Sequence, residues 1–127
     1  MSDPWRLDGS GTDEVRVTDA ATGGAKGEKL ERYDLIPAGP LHLLARLYGV
    51  GAQKYDVRNW ERGYSWHLSF RALMGHAWAF WRGEDNDPGT GLPHMVHVAW
   101  HALAMVDFQV RGSGTDDRPK PYATPAA

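Results

Sequence analysis

Apolar residues recur at helical spacing over three stretches of the chain. From Ser65 to Arg82, SWHLSFRALMGHAWAFWR, Trp66, Phe70, Leu73, Ala77, Phe80 and Trp81 keep a 3.6-residue period. This predicts a helix with Ser65 as its N-cap. His76 lies three residues after Leu73 and four before Phe80, so it is expected to point inward. From Pro93 to Arg111, PHMVHVAWHALAMVDFQVR, the pattern predicts a second long helix with proline in its first turn. Val96, Ala99, Leu103, Val106 and Val110 form an ordinary apolar face on it. His94, His97, His101, Met105 and Phe108 form a second stripe. A helix apolar around most of its circumference belongs inside a bundle. A shorter helix is predicted over 40–49, PLHLLARLYG, with Leu41, Leu44, Ala45 and Tyr48 inward, His42 outside, and Gly49 or Gly51 near its end.

Between the long helices, GEDNDPGTGLP reads as a turn, so 65–82 and 93–111 fold back as an antiparallel hairpin. Residues 1–27 are weakly patterned. Val15 and Val17 alternate and would allow a short strand, but a flexible arm is expected. Residues 112–127 read as a flexible Gly/Pro-rich tail. The segment GSGTD occurs at 9–13 and at 112–116, and both copies read as loop composition. The expected fold is all-α: a bundle of three to four helices around the hairpin, with 28–111 as the domain. Aromatics left over after packing point to completion as a homo-oligomer.

Composition narrows the function. A chain of 127 residues is one domain's worth. The absence of cysteine excludes thiol catalysis, disulfides and zinc–thiolate sites. A net charge of −2 with mixed signs argues against binding nucleic acid by bulk electrostatics. Without an apolar run of about 18 residues or a signal-peptide core, no membrane contact is expected, and the location is expected to be cytoplasmic. Six tryptophans serve a core and a flat ligand equally well.

Candidate chemistry gathers in the hairpin. Four of the six histidines, at 76, 94, 97 and 101, flank a turn carrying Glu84, Asp85 and Asp87. At a rise of about 1.5 Å per residue, His76, His97 and His101 reach similar depth, and His94 meets Glu84 and Asp87 at the mouth. Such a set could bind zinc, manganese or iron through imidazole and carboxylate, or Mg²⁺ through Glu84 and Asp87. His76 or His94 could equally serve as a general base, or the histidines could bond phosphates. For His97 and His101 the plainer reading is core histidines with internal hydrogen bonds. Upstream, Lys54, Arg58 and Arg62 are spaced at four and interleaved with Tyr55, Trp60 and Tyr64. On a continuing helix they would form a basic edge suited to a phosphate-bearing, base-stacking ligand, or simply an exposed face.

Five runs, KLERYDLIP, GVGAQKYDVRNWERG, WAFWRGEDND, TGLPHMVHVAWHAL and RGSGTDDRP, lie in order between Lys29 and Pro119. They resemble the phage and prophage family of the dATP/dGTP diphosphohydrolase N-terminal domain. The resemblance implies an all-α pyrophosphohydrolase akin to the MazG type. Such enzymes cut a deoxynucleoside triphosphate to monophosphate and pyrophosphate, with acidic side chains holding Mg²⁺, or Mn²⁺ in its place. Carried over by position, Lys29, Lys54 and Arg58 would touch phosphates, Asn59 and Trp60 would sit near the base or sugar, and Arg32 and His97 would be further nucleotide-binding residues. His76, Glu84 and His94 would be catalytic, and Glu84 and Asp87 would hold the metal. The chain departs from the family at His42 and Leu43, where members carry paired glutamates, and that departure bears on catalysis more than on binding. Three functions compete: metal-dependent hydrolysis of a purine deoxynucleotide, a non-catalytic phage protein that sequesters a nucleotide signal of host defence, and a structural oligomer.

Overall fold

A computed structural model of the chain describes residues 3–5 and 14–119. The order is β1 (Val15–Thr18), β2 (Ala25–Glu28), α1 (Ala38–Lys54), α2 (Trp66–Trp81) and α3 (His94–Arg111). Short 3-10 helices lie at Tyr33–Leu35 and Asn59–Arg62. The protein is thus mostly helical, and a small antiparallel sheet corrects the all-α expectation. No helix among the described residues is long and apolar enough to cross a membrane.

The chain divides into two compact units, Met1–Ala38 and Gly39–Ala127. In the first, β1 pairs with β2 with Val15 opposite Glu28 and Thr18 opposite Ala25. Asp19 shapes the turn: its Oδ1 accepts the Ala21 and Thr22 N–H groups at 2.8 and 2.9 Å. The Val15/Val17 alternation was the visible signal for β1. The second strand, AKGE, has no alternation of its own and is set by the turn.

In the second unit, α2 and α3 form the expected antiparallel hairpin: Ser69 early in α2 meets His101, and His76 further along meets His94. α1 packs Leu47 against Leu92 and Val96, with Leu43, Leu44 and Trp100 around them. The inward face of α1 therefore includes Leu43 and Leu47, whereas Leu41 and Ala45 are exposed. The helix also runs through Gly49 and Gly51 to Lys54. Neither glycine is forced out of helical geometry, and the Tyr55 N–H still reaches the Gly51 carbonyl at 2.8 Å.

The two stripes of α3 fare differently, although Val96 of the apolar one joins the core. His94, Val96, His97, Ala104 and Phe108 are buried, while Leu103, Val106 and Val110 are exposed. α2 behaves alike: Ser69 and Ala79 are buried, whereas Phe70, Phe80 and Trp81 are exposed. The expected apolar faces are largely outside, and the histidine stripe lines the seam.

Ser65 occupies the N-cap of α2, but its hydroxyl caps nothing. Chain from beyond α3 does so instead. The Thr115 carbonyl accepts the Trp66 N–H, and Asp117 Oδ1 accepts the His67 N–H, both at 3.0 Å. Trp66 Nε1 donates to the Ser113 carbonyl, and the Arg118 guanidinium lies 4.8 Å over the Trp66 ring. This close approach depends on Gly63 and Gly114: a Cβ on Gly63 would fall 2.3 Å from the Gly114 nitrogen. The expected loose tail is therefore packed through Arg118, and its last residues, 120–127, lie outside the described residues.

Candidate functional site

The turn between α2 and α3 is built around Thr90. Its N–H and hydroxyl both donate to Asp87 Oδ2, at 2.9 and 3.2 Å. With its proton so committed, Oγ1 accepts from the Leu92 N–H and lies 2.8 Å from His97 Nε2. The network assigns the His97 proton to Nε2. The turn is closed by the Asp87 N–H on the Leu92 carbonyl and the His94 N–H on the Asp85 carbonyl.

Above this turn the histidines gather. His76 Nδ1 lies 2.8 Å from His94 Nδ1, and His94 Nε2 lies 2.6 Å from Glu84 Oε1. A carboxylate only accepts, so His94 carries a proton on Nε2 and turns Nδ1 toward His76. The His76 ring stacks on His97 at 4.2 Å. One donor atom each from His76, Asp87 and His94 falls within 4.8 Å of the others. His94 is buried, while the Glu84 side chain is 56% exposed. Further along the seam, Ser69 Oγ lies between Tyr64 Oη at 2.6 Å and His101 Nδ1 at 3.0 Å.

Burial lowers the pKa of His76 and His97 against the pull of the Asp87 charge. Burial and the neighbouring imidazoles lower His101 to about 4. These three rings are neutral at pH 7, available as ligands or proton acceptors and not as cations for phosphate. Burial works to raise Asp87, but the Thr90 N–H and hydroxyl outweigh it, and Asp87 stays below the usual carboxylate value.

Beside the cluster lies a cavity of about 920 Å³. Tyr48, Trp60 and Trp100 wall it, with centroids 5.8 to 6.4 Å apart. Ser69, Thr90, His97 and His101 provide polar lining, and Lys54, Arg58 and Asn59 also face it. His97 belongs to both regions, lining the cavity while its ring stacks on His76.

The structure therefore brings His76, Glu84, Asp87, His94 and His97 together, and puts Lys54, Arg58, Asn59 and Trp60 on the adjoining cavity. The basic edge conditional on a continuing helix does not form. α1 ends at Lys54, and Arg58 takes a left-handed φ of 58° before the next 3-10 helix. Arg58 pairs with Glu61 at 2.6 Å, and Arg62 faces Asp56 at 3.9 Å. Lys29 and Arg32 lie in the first unit, where Arg32 is engaged by Asp34 and Glu28. Sequence reasoning missed Ser69, Thr90, Tyr48 and Trp100. Ser69 had a signal, since it lies seven residues before His76 on one helical face. Thr90 had none beyond its place in a Pro-Gly-Thr-Gly turn.

Mg²⁺ prefers a shell of oxygen donors. Two of the three convergent donors here are imidazole nitrogens, and Glu84, the second carboxylate expected for Mg²⁺, is engaged with His94. The donor set does not fit Mg²⁺.

The helical unit thus carries an aromatic-walled cavity beside a histidine–carboxylate cluster. The chain belongs to the family described as dATP/dGTP diphosphohydrolase, N-terminal, whose model matches residues 20–118. No curated protein and no solved structure matches the chain.

Proposed function

We propose that the chain binds a purine deoxynucleoside triphosphate and hydrolyses it to the monophosphate and pyrophosphate. The observation that carries this reading is the continuity of the aromatic cavity with the histidine–carboxylate cluster through His97. The family's description supplies the substrate class. In this reading the base stacks among Tyr48, Trp60 and Trp100, where flat π faces are concentrated. Lys54 and Arg58 neutralise phosphate charge at the cavity wall, and Asn59 offers an amide to base or sugar. The anhydride lies toward His76, Glu84, Asp87 and His94, which orient the attacking water. The water oxygen bonds to the α-phosphorus as the α–β bridging P–O bond breaks, the water's proton passes to the histidine–carboxylate cluster, and pyrophosphate leaves.

A second reading is favoured by one observation: α1 contains no carboxylate at all. A domain of this kind could hold a nucleotide signal without cutting it. Incubation with a panel of NTPs and dNTPs, with Mn²⁺ or Mg²⁺ added and products separated by chromatography, tests both. Release of monophosphate and pyrophosphate supports hydrolysis. Tight binding with intact nucleotide recovered supports sequestration. Absence of both sinks the nucleotide reading.

The same reading includes a homo-oligomer. Phe70, Met74, Trp78 and Trp81 of α2 and Met95, Leu103, Val106 and Val110 of α3 are all exposed. Together they leave a large apolar area of the two helices in water, of the kind that a standard stable interface of roughly 800 Å² per partner covers. A second copy of this chain offers the matching apolar surface. Light scattering that returns a monomer at micromolar concentration would refute it.

A further inference from the structure

We propose that His76, Asp87 and His94 bind one divalent first-row transition-metal ion per chain, with Glu84 orienting His94 from behind. The site deepens the hydrolytic reading above, but its geometry stands without any nucleotide.

Three observations carry it. First, donor atoms of the three residues converge within 4.8 Å of one another. The two imidazole Nδ1 atoms are 2.8 Å apart and turned toward each other. With its proton on Nε2 toward Glu84, His94 presents the Nδ1 lone pair to His76 Nδ1, and a cation before the two atoms would accept a lone pair from each ring. Second, the ring nitrogen of His94 remote from the cluster donates to Glu84 at 2.6 Å. Metal-bound histidines characteristically give their other N–H to a carboxylate, which fixes the tautomer and raises ligand basicity. Third, Asp87 is held in place by both donors of Thr90 through Oδ2, so its orientation is set before any ion arrives.

The donor chemistry selects the class of ion. Two imidazoles and one carboxylate suit manganese, iron, cobalt or zinc, and leave coordination positions open for water or phosphate oxygen. The same set discriminates against Mg²⁺, which holds imidazole poorly. The all-carboxylate site that the family resemblance implies is thus replaced, in this chain, by a mixed nitrogen–oxygen one on the α2–α3 turn.

The test uses the full chain, stripped with a chelator and titrated with Co²⁺ alone, read by its visible absorption and by metal content after desalting. One ion per chain is expected, with no displacement by a hundredfold excess of Mg²⁺. His76→Gln, His94→Gln and Asp87→Asn should each weaken Co²⁺ binding by more than a hundredfold. Glu84→Gln, at an exposed side chain, should weaken it by about 10- to 100-fold with the three ligands intact. His67→Gln, at the surface pair with Asp117, should leave it unchanged. Circular dichroism identifies any variant that fails to fold, and Glu84→Gln then carries the test. Loss of Co²⁺ to equimolar Mg²⁺, or undiminished binding in the folded ligand variants, overturns the proposal. Nucleotide binding is measured separately by quenching of tryptophan fluorescence. Quenching without a Co²⁺ site sinks the metal and spares the cavity, and a Co²⁺ site without quenching upholds the metal and sinks the cavity.

Discussion

Replacing Ser69 with alanine tests whether the seam between α2 and α3 is held by its polar chain. Ser69 is fully buried, and its single hydroxyl serves two partners, Tyr64 Oη at 2.6 Å and His101 Nδ1 at 3.0 Å. Whichever way the protons run along this chain, the single serine hydroxyl donates to one partner and accepts from the other, so deletion strands one donor and one acceptor. A stranded buried group costs roughly 1–3 kcal/mol. Tyr64 and His101 both line the cavity, so water can partly replace the lost oxygen and the low end applies to each. The expected loss is about 2 kcal/mol in all. Urea unfolding at pH 7 should show a lower midpoint with an unchanged slope. Tyr64→Phe removes one of the two partners, so the double variant should lose less than the sum of the singles, by about 1 kcal/mol. A Ser69→Ala chain within about 0.5 kcal/mol of the parent, or strict additivity with Tyr64→Phe, would refute the polar chain as a structural element.

Stability should fall with acid. The folded pKa of His101 lies near 4, against 6.5 for the free ring, so unfolding takes up a proton between these values. Its contribution is complete above pH 6.5 and is lost as pH falls towards 4. The ceiling is about 3 kcal/mol, which solvent in the cavity reduces to roughly 1–2 kcal/mol. His76 and His97 act in the same direction, and Asp87 adds a further loss only below its ordinary value of 3.8. His101→Gln should flatten the slope of urea midpoint against pH in this window. Trp60→Ala should weaken nucleotide binding by about 10- to 100-fold in a fluorescence titration, the worth of one base–aromatic stack, while Trp60→Phe keeps much of it. Gly114→Ala would put a Cβ 2.4 Å from the Tyr64 carbonyl oxygen at a φ of 72°. Backbone cannot yield there, so a loss of about 3 kcal/mol is expected in thermal melts, with faster proteolysis after Arg118 as the second readout.

The helices were legible because 3.6-residue periodicity survives whichever side is buried. Which side is buried was legible only in part: His97 and His101 read as core histidines with internal hydrogen bonds, and they do meet Thr90 and Ser69. Hydrophobicity assigned Leu103, Val106 and Val110 of α3 to the core, yet they are exposed and the histidine stripe is inside. A histidine seam satisfied by Ser69, Thr90 and Glu84 can be buried in place of leucines, and sequence alone does not reveal those partners. The convergence of His76, Glu84, Asp87 and His94 was legible because a short turn forces helix ends together. The docking of Thr115 and Asp117 on α2 was not. It is a contact across 50 residues carried by backbone and by two glycines, and the composition of a GSGTD run resembles any loop.

A surface connection between two helices ordinarily accepts inserted or deleted residues over evolutionary time. Residues 83–93 cannot. Thr90 ties the Asp87 carboxylate, the Leu92 N–H and the His97 ring to one oxygen, and each partner sits at a fixed count from it. One added residue would move Asp87 away from the imidazoles on the next turn of helix. Among homologous chains that keep this cluster, length variation is therefore expected in the segment between α1 and α2 and after Arg118, while the spacing from His76 to His97 stays constant to the residue.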